Sequence, residues 1–201
     1  MCLINEIKPD YIFHLAAQPL VRNSYLHPID TWKTNVLGTV NILDSLRFLN
    51  KKCIGIIITS DKCYENQEWE WGYRESDRLG GSDPYSASKA SAELAFSSYF
   101  RSYFNDFSNS EIRIASARAG NVIGGGDWAQ SRIVPDCIRA WSKEVPVEIK
   151  SPNSTRPFQH VLEPLSGYLS LAKNLSSNKK LSGQSFNFGP PSNSNHKVID
   201  I

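Results

Sequence analysis

Apolar residues along this chain fall into two rhythms. Ile54-Gly55-Ile56-Ile57-Ile58-Thr59 is a continuous apolar run with no polar position alternating through it. Such a run suits a strand buried on both faces, as in a parallel sheet covered by helices. Residues 11–15 and 112–118 give further strands. Val36, Val40, Leu43 and Leu46 recur at helical spacing and predict a long helix starting at Pro28. A second helix is predicted over residues 84–104, and residues 1–7 read as the last turns of another, broken at Pro9-Asp10. Residues 16–27 read as a loop, and 120–130 as a glycine-rich one. Residues 67–82, polar, aromatic and glycine-bearing, read as a long loop over a site. Strands alternating with helices predict an α/β fold with a parallel sheet. Beyond Arg132 the rhythm changes: a helix to Lys143, a short strand at 147–149, a loop with Pro152 and Pro157, a helix over 162–175 and a strand at Phe186-Asn187-Phe188-Gly189. That change predicts two parts, residues 1–130 and a smaller lobe of residues 131–201.

The 201 residues supply enough chain for a sizeable core. A formal net charge of +2, with no run of five like charges, gives no case for nucleic acid or a membrane surface as partner. No apolar stretch approaches the ~20 residues that span a bilayer, and no charged segment precedes an apolar one as in a secretory signal. Cys2, Cys53, Cys63 and Cys137 lie far apart without a C-x-x-C pair, so they read as reduced thiols of a cytoplasmic protein. The four histidines lack paired ligand spacing, and no metal site is predicted.

Candidate chemistry gathers at two places. Ser60-Asp61-Lys62 closes the apolar strand, and Tyr85-Ser86-Ala87-Ser88-Lys89 opens the second helix. A Tyr and a Lys four positions apart share one face of a helix, one turn separated. A free phenol titrates near ~10 and is a poor base at neutral pH. A neighbouring ammonium stabilises the phenolate and lowers that value. A hydroxyl at a strand end can bridge the phenolic oxygen and a substrate alcohol. Together these groups can take a proton from a sugar hydroxyl while a nicotinamide takes the hydride.

Strand, hydroxyl and then Tyr-x-x-x-Lys, in that order, resembles the short-chain dehydrogenase/reductase superfamily. The wider text resembles its extended, nucleotide-sugar branch over nearly the whole chain. The matching segments are HLAAQ (His14 to Gln18), TNVLGT (Thr34 to Thr39), TSDKCYE (Thr59 to Glu65), DPYSASK (Asp83 to Lys89), ARAGNVIGGGDW (Ala117 to Trp128) and STRPFQHV (Ser154 to Val161). SDKCYEN, WGYRE and GGGDW are most similar to the CDP-glucose 4,6-dehydratases of that branch. The resemblance implies a doubly wound, Rossmann-like sheet, NAD as cofactor, CDP-glucose or a similar nucleotide sugar as substrate and a homodimer. It further implies a place in making deoxysugars of bacterial surface polysaccharides. Other extended-branch activities stay open: a 4-epimerase, a dTDP- or GDP-sugar dehydratase, or a non-catalytic module that binds nucleotide sugar.

On that resemblance Tyr85 is the base for C4 oxidation, Lys89 lowers its pKa and holds the nicotinamide ribose, and Ser60 holds O4. Asp61, if burial keeps its pKa high, protonates the departing C6 hydroxyl. The related dTDP-sugar dehydratases carry Asp-Glu where this chain has Asp61-Lys62, so the C5 base stays open. Lys62 either serves directly or stabilises an enolate-like intermediate. Ala16, Ala17 and Gln18, at a strand's carboxyl end, would lie beside NAD, while His14 reads as a satisfied core histidine and Asn35 as a buried structural amide. Asn121, Arg132 and Arg156 are candidates for sugar and diphosphate, since guanidinium forks match phosphate oxygens. Trp69, Trp71 and Trp128 read as loop packing. Gly124-Gly125-Gly126 lacks G-x-G-x-x-G spacing and is not a dinucleotide turn. The resemblance therefore implies an internal fragment, with the strands that carry the glycine turn lying upstream and further chain downstream, and with the 201 residues inactive by themselves.

Overall fold

The computed structural model describes residues 2–106, 110–191, 194 and 196–200. Met1 and the Cys2 side chain, which figured in the expectations above, lie outside the described residues. The first half runs α1 (Cys2–Ile7), β1 (Tyr11–His14), α2 (Val21–Leu26), α3 (Pro28–Trp32), α4 (Gly38–Leu46), β2 (Cys53–Ile58) and α5 (Pro84–Tyr99). The second runs β3 (Ile112–Ala119), β4 (Val122–Ile123), α6 (Ile133–Trp141), β5 (Thr155–Arg156), β6 (Gln159–His160), α7 (Leu162–Ser177), β7 (Ser185–Phe188) and β8 (His196–Lys197). Four strands form one wholly parallel sheet in the order β1-β2-β3-β7. Helices cover both of its faces.

Alternation along the strands builds the two core layers. Cys53 and Ile57 of β2 and Ile112 and Ile114 of β3 pack with Leu43, Leu46, Phe96 and Phe104 on one face. Ile54, Ile56, Ala115, Ala117 and Ala119 pack with Tyr168, Leu171 and Leu175 of α7 on the other. The parallel α/β sheet and doubly wound, Rossmann-like class expected from the sequence are what the chain adopts.

Two of the long helical stretches carry a π-helical turn. Lys33–Leu37 joins α3 to α4, and Phe100–Phe104 ends α5. The buried stripe of the first is only partly the apolar one predicted: Leu43 and Leu46 are fully buried, but toward the start of the helix polar residues take the inward places. Thr31, Asn35 and Thr39 are buried, whereas Val36 and Val40 are only half-buried. Two other expectations need correction. The predicted loop over residues 16–27 contains α2, whose Ser24 hydroxyl accepts from the Tyr85 amide at 3.2 Å. The predicted strand at 147–149 does not form. Pro146 removes an amide donor at its start, and no neighbouring strand offers Val147 and Ile149 a ladder. The chain there pairs instead through β5 with β8 and through β6 with β4. Among the described residues no helix is long and apolar enough to cross a membrane.

Candidate active site

The start of α5 is set by three local devices. Asp83 caps it, its carboxylate accepting from the Ser86 amide at 3.0 Å and from the Ser86 hydroxyl at 2.6 Å. Pro84 occupies the first turn, where its missing N–H costs nothing. Gly81 lets the incoming loop touch the helix: a Cβ there would lie 2.5 Å from backbone atoms of Ser86 and Ala87. Tyr85 and Lys89 are thereby fixed against the carboxyl end of β2, both nearly enclosed at 8% and 6% exposure.

Immediately after β2, Ser60 caps a short 3-10 turn, Asp61–Cys63, by accepting from the Lys62 amide at 3.2 Å. The Ser60 hydroxyl donates to Asp61 Oδ1 at 3.0 Å, and Lys62 Nζ lies 3.5 Å from both Asp61 Oδ1 and Asn121 Oδ1. Ser60, Asp61, Lys62 and Asn121 thus meet as one polar group. Gly120 permits this closeness, since a Cβ on it would come within 2.9 Å of Pro157 and 3.4 Å of Asp61 Oδ2. The side chain of Asp61 is 34% exposed, so the burial on which its acid role was predicated is only partial.

The electrostatics of the tyrosine differ from the expectation. Burial pushes the Tyr85 phenol above its ordinary value; the Ser60 hydrogen bond pulls it down, Asp61 adds to the rise and Arg132 opposes it. The lysine expected to lower it is turned toward the strand end, its Nζ 3.5 Å from the Ile58 carbonyl. Burial brings Lys89 itself down to about 8, with the charge of Glu93 acting the other way. Burial, and then the Lys89 charge, lower His14, whose Nε2 lies 3.3 Å from the Thr39 hydroxyl. That is the satisfied core histidine the sequence predicted.

Past β1, Ala16 is exposed and Ala17 half-buried, leaving small side chains at the same end of the sheet. Gln18 is different, because its polar atoms are engaged internally. Its side chain meets Leu20 and Thr31, and the Asn35 amide accepts from Gln18 N at 2.8 Å and donates to Gln18 O at 3.1 Å. Asn35 also donates to Ser88 Oγ of α5 at 2.8 Å. The π-helical turn that holds Asn35 therefore clamps the loop after β1 to the helix of Tyr85 and Lys89.

A cavity of about 1380 Å³ opens beside this group, with Asp61, Lys62, Arg118 and Arg156 in its lining. Arg156 donates to the Thr155 carbonyl at 2.8 Å. Arg132, at the start of α6, makes a charge contact with Asp127 at 3.4 Å. Trp69 and Trp71 stack at 5.1 Å in the cavity wall, whereas Trp128 is 61% exposed and does not pack a loop as predicted.

One set of residues escaped the sequence reasoning. Glu93, 2% exposed, accepts from Thr59 Oγ1 at 2.5 Å, from Ser116 Oγ at 2.9 Å and from Ser185 Oγ at 3.0 Å, and it pairs with Arg118 at 2.7 Å. Burial opposes the Arg118 charge, but the Glu93 bond and charge outweigh it and raise its pKa. The available signal was a carboxylate one helical turn beyond Lys89 on the same face.

A family model described as GDP-mannose 4,6 dehydratase matches residues 1–121. The CDP-glucose 4,6-dehydratase of Salmonella typhimurium is 50% identical over 189 residues, which is 93% of this chain and 53% of that protein. The UDP-glucose 4-epimerase of Mycoplasma genitalium is 25% identical over 215 residues, covering 99% of this chain and 61% of that protein. Among solved structures, UDP-glucuronic acid 4-epimerase from Bacillus cereus, in complex with UDP-glucuronic acid and NAD, has the same fold. Its TM-score is 0.83 at 20% identity, over 98% of this chain and 59% of that one. The chain spans little more than half the length of these relatives.

Proposed function

Since this chain belongs to the GDP-mannose 4,6-dehydratase family, we propose that the complete protein carrying it converts CDP-glucose to CDP-4-keto-6-deoxyglucose. The observation that carries this is the meeting of Ser60, Asp61, Lys62 and Asn121 beside the Tyr85–Lys89 helix turn. The 50% identity to the Salmonella CDP-glucose enzyme supports the choice of sugar nucleotide. A plain dehydrogenase or epimerase has no water to eliminate, and the Asp61-Lys62 pair has no task in it.

Tyr85 would take the O4 proton as the phenolate, its own proton having left before the hydride moves, with Ser60 as the bridging hydrogen-bond partner. NAD, when bound, would supply the acceptor for the C4 hydride and the store from which it goes back to C6. The 4-ketone acidifies the C5 proton; Asp61 protonates the C6 hydroxyl as water leaves, and Lys62 faces the C5 side as base or as electrostatic support. The residues present fit the nicotinamide end of the cofactor: small Ala16 and Ala17 at the carboxyl end of β1, and Lys89, one helical turn beyond Tyr85, at the carboxyl end of β2. Asn121, Arg132 and Arg156 are assigned to sugar and diphosphate. Residues 1–130, together with α7 and β7, which complete the sheet and cover one of its faces, would then form part of the NAD-binding domain, and the other residues beyond 130 part of the sugar-nucleotide lobe, in a cytoplasmic homodimer that supplies deoxysugars.

The test is turnover of purified complete protein on CDP-, UDP-, dTDP- and GDP-hexoses, followed by the absorbance of 4-keto sugars in alkali. Product from CDP-glucose well ahead of the others is expected. Interconversion at C4 with no keto sugar released would overturn the proposal in favour of an epimerase.

A further inference from the structure

The buried Glu93–Arg118 pair has no part in the chemistry just described, yet it lies between the catalytic helix and the cavity. Replacing such a pair with apolar residues is often neutral or stabilising, so stability alone does not explain it. Its far side is informative. Arg118 Nη1 donates to the Tyr64 hydroxyl at 2.7 Å and to the Glu75 carbonyl at 3.0 Å. Tyr64 donates onward to Asn187 Oδ1 at 2.7 Å. Asn187 in turn donates from its side chain to the Tyr73 carbonyl at 2.9 Å and from its amide to Glu75 Oε1 at 2.8 Å. Above these bonds the rings form a stack: Tyr64 on Tyr73 at 5.1 Å and 12°, Tyr73 against Trp69, and Trp69 on Trp71. Those rings are the cavity wall.

The loop's own backbone bonds close its base, from Glu65 N to Arg78 O and from Gly80 N to Cys63 O. Its middle is held by side chains that trace back to Arg118. We propose that Arg118, Tyr64 and Asn187 are positioning residues that set the aromatic wall at a fixed distance from Tyr85 and Lys89 and so determine how tightly the nucleotide sugar is held. Assigning a nucleotide sugar to the cavity rests on the function proposed above. Glu93 lets the guanidinium be buried where both sides can reach it.

Tyr64→Phe in the complete protein keeps the ring and its stack and removes only the hydroxyl. Hydrogen–deuterium exchange, read by mass spectrometry over residues 65–79, should quicken about tenfold, and KM for CDP-glucose should rise about tenfold with kcat within about twofold. Asn187→Ala, at an exposed position, should reproduce both effects without disturbing the core. Unchanged exchange in both variants would overturn the brace. Faster exchange with KM unmoved, or a fall in kcat alone, would overturn its link to substrate. Exchange is measured without substrate, so a wild-type protein that fails to turn over CDP-glucose would count against the proposed function and leave the test of the brace intact.

Discussion

A phenol as enclosed as Tyr85 gives up its proton reluctantly, and burial has raised its pKa rather than lowered it. In the proposed reaction its usefulness as a base would depend on partners that act when substrate is in place, so the hydroxyl should matter to turnover and be of little account for binding. Tyr85→Phe should lower kcat by roughly 10²–10⁴-fold while CDP-glucose affinity by calorimetry stays within a few-fold. Lys89 carries a stability consequence of its own. Its pKa falls from 10.5 to about 8 on folding, so below pH 8 the folded state holds a charge that burial disfavours. Between those values the unfolded chain binds more protons than the folded one, and stability rises with pH. Lys89→Met should therefore gain up to about 3 kcal/mol at pH 7. That gain should fade as the pH climbs toward 10.5, as read from denaturant midpoints of both proteins across that range.

At the scale of elements, the loop-to-helix junction before α5 tolerates no side chain at Gly81, because the nearest atoms are helix backbone. Gly81→Ala should cost about 1–3 kcal/mol by displacing the first turn, seen as a lower urea midpoint with an unchanged m-value. Long elements with one dominant rhythm were legible from the sequence: β2, with its unbroken isoleucines, and the helices opened by Pro28 and Pro84. The inward face of α3–α4 was legible at Leu43 and Leu46 but not nearer its start. Thr31, Asn35 and Thr39 are satisfied by Gln18, Ser88, His14 and the backbone, so polar residues occupy a stripe that hydrophobic spacing assigns to apolar ones. Two-residue strands such as β5 and β6 carry no period at all, and only their tertiary partners define them. The grouping of Ser60, Asp61 and Lys62 at the strand end was legible as a motif, whereas Asn121 joins them only through the fold. The Glu93–Arg118 network escaped because its three hydroxyl partners come from three separate strand segments.

For the whole molecule, the outer faces of α4 and α5 leave apolar side chains in water. Leu94 of α5 is 60% exposed, and Leu37 and Tyr103, in the π-helical turns that adjoin the two helices, are 53% and 46% exposed. The proposed homodimer pairs these helices with their copies, and a pair of such faces needs a partner to cover it. Sedimentation of the complete protein at micromolar concentration should give the mass of a dimer, and Leu94→Glu should shift it to the monomer with little change in the unfolding midpoint.

β2 and β3 run in unbroken parallel register from Cys53↔Ile112 to Ile58↔Ala117. Thr59, directly after β2, and Arg118 of β3 both reach Glu93 of α5, and they do so only because each strand has its present number of residues. Losing one residue from either strand would turn every later side chain to the opposite face. Residues 65–82 have no such constraint, since they lie outside the main sheet. A lineage carrying this fold can therefore reshape its cavity by lengthening or shortening one loop, while its strands can change only by exchange of one residue for another.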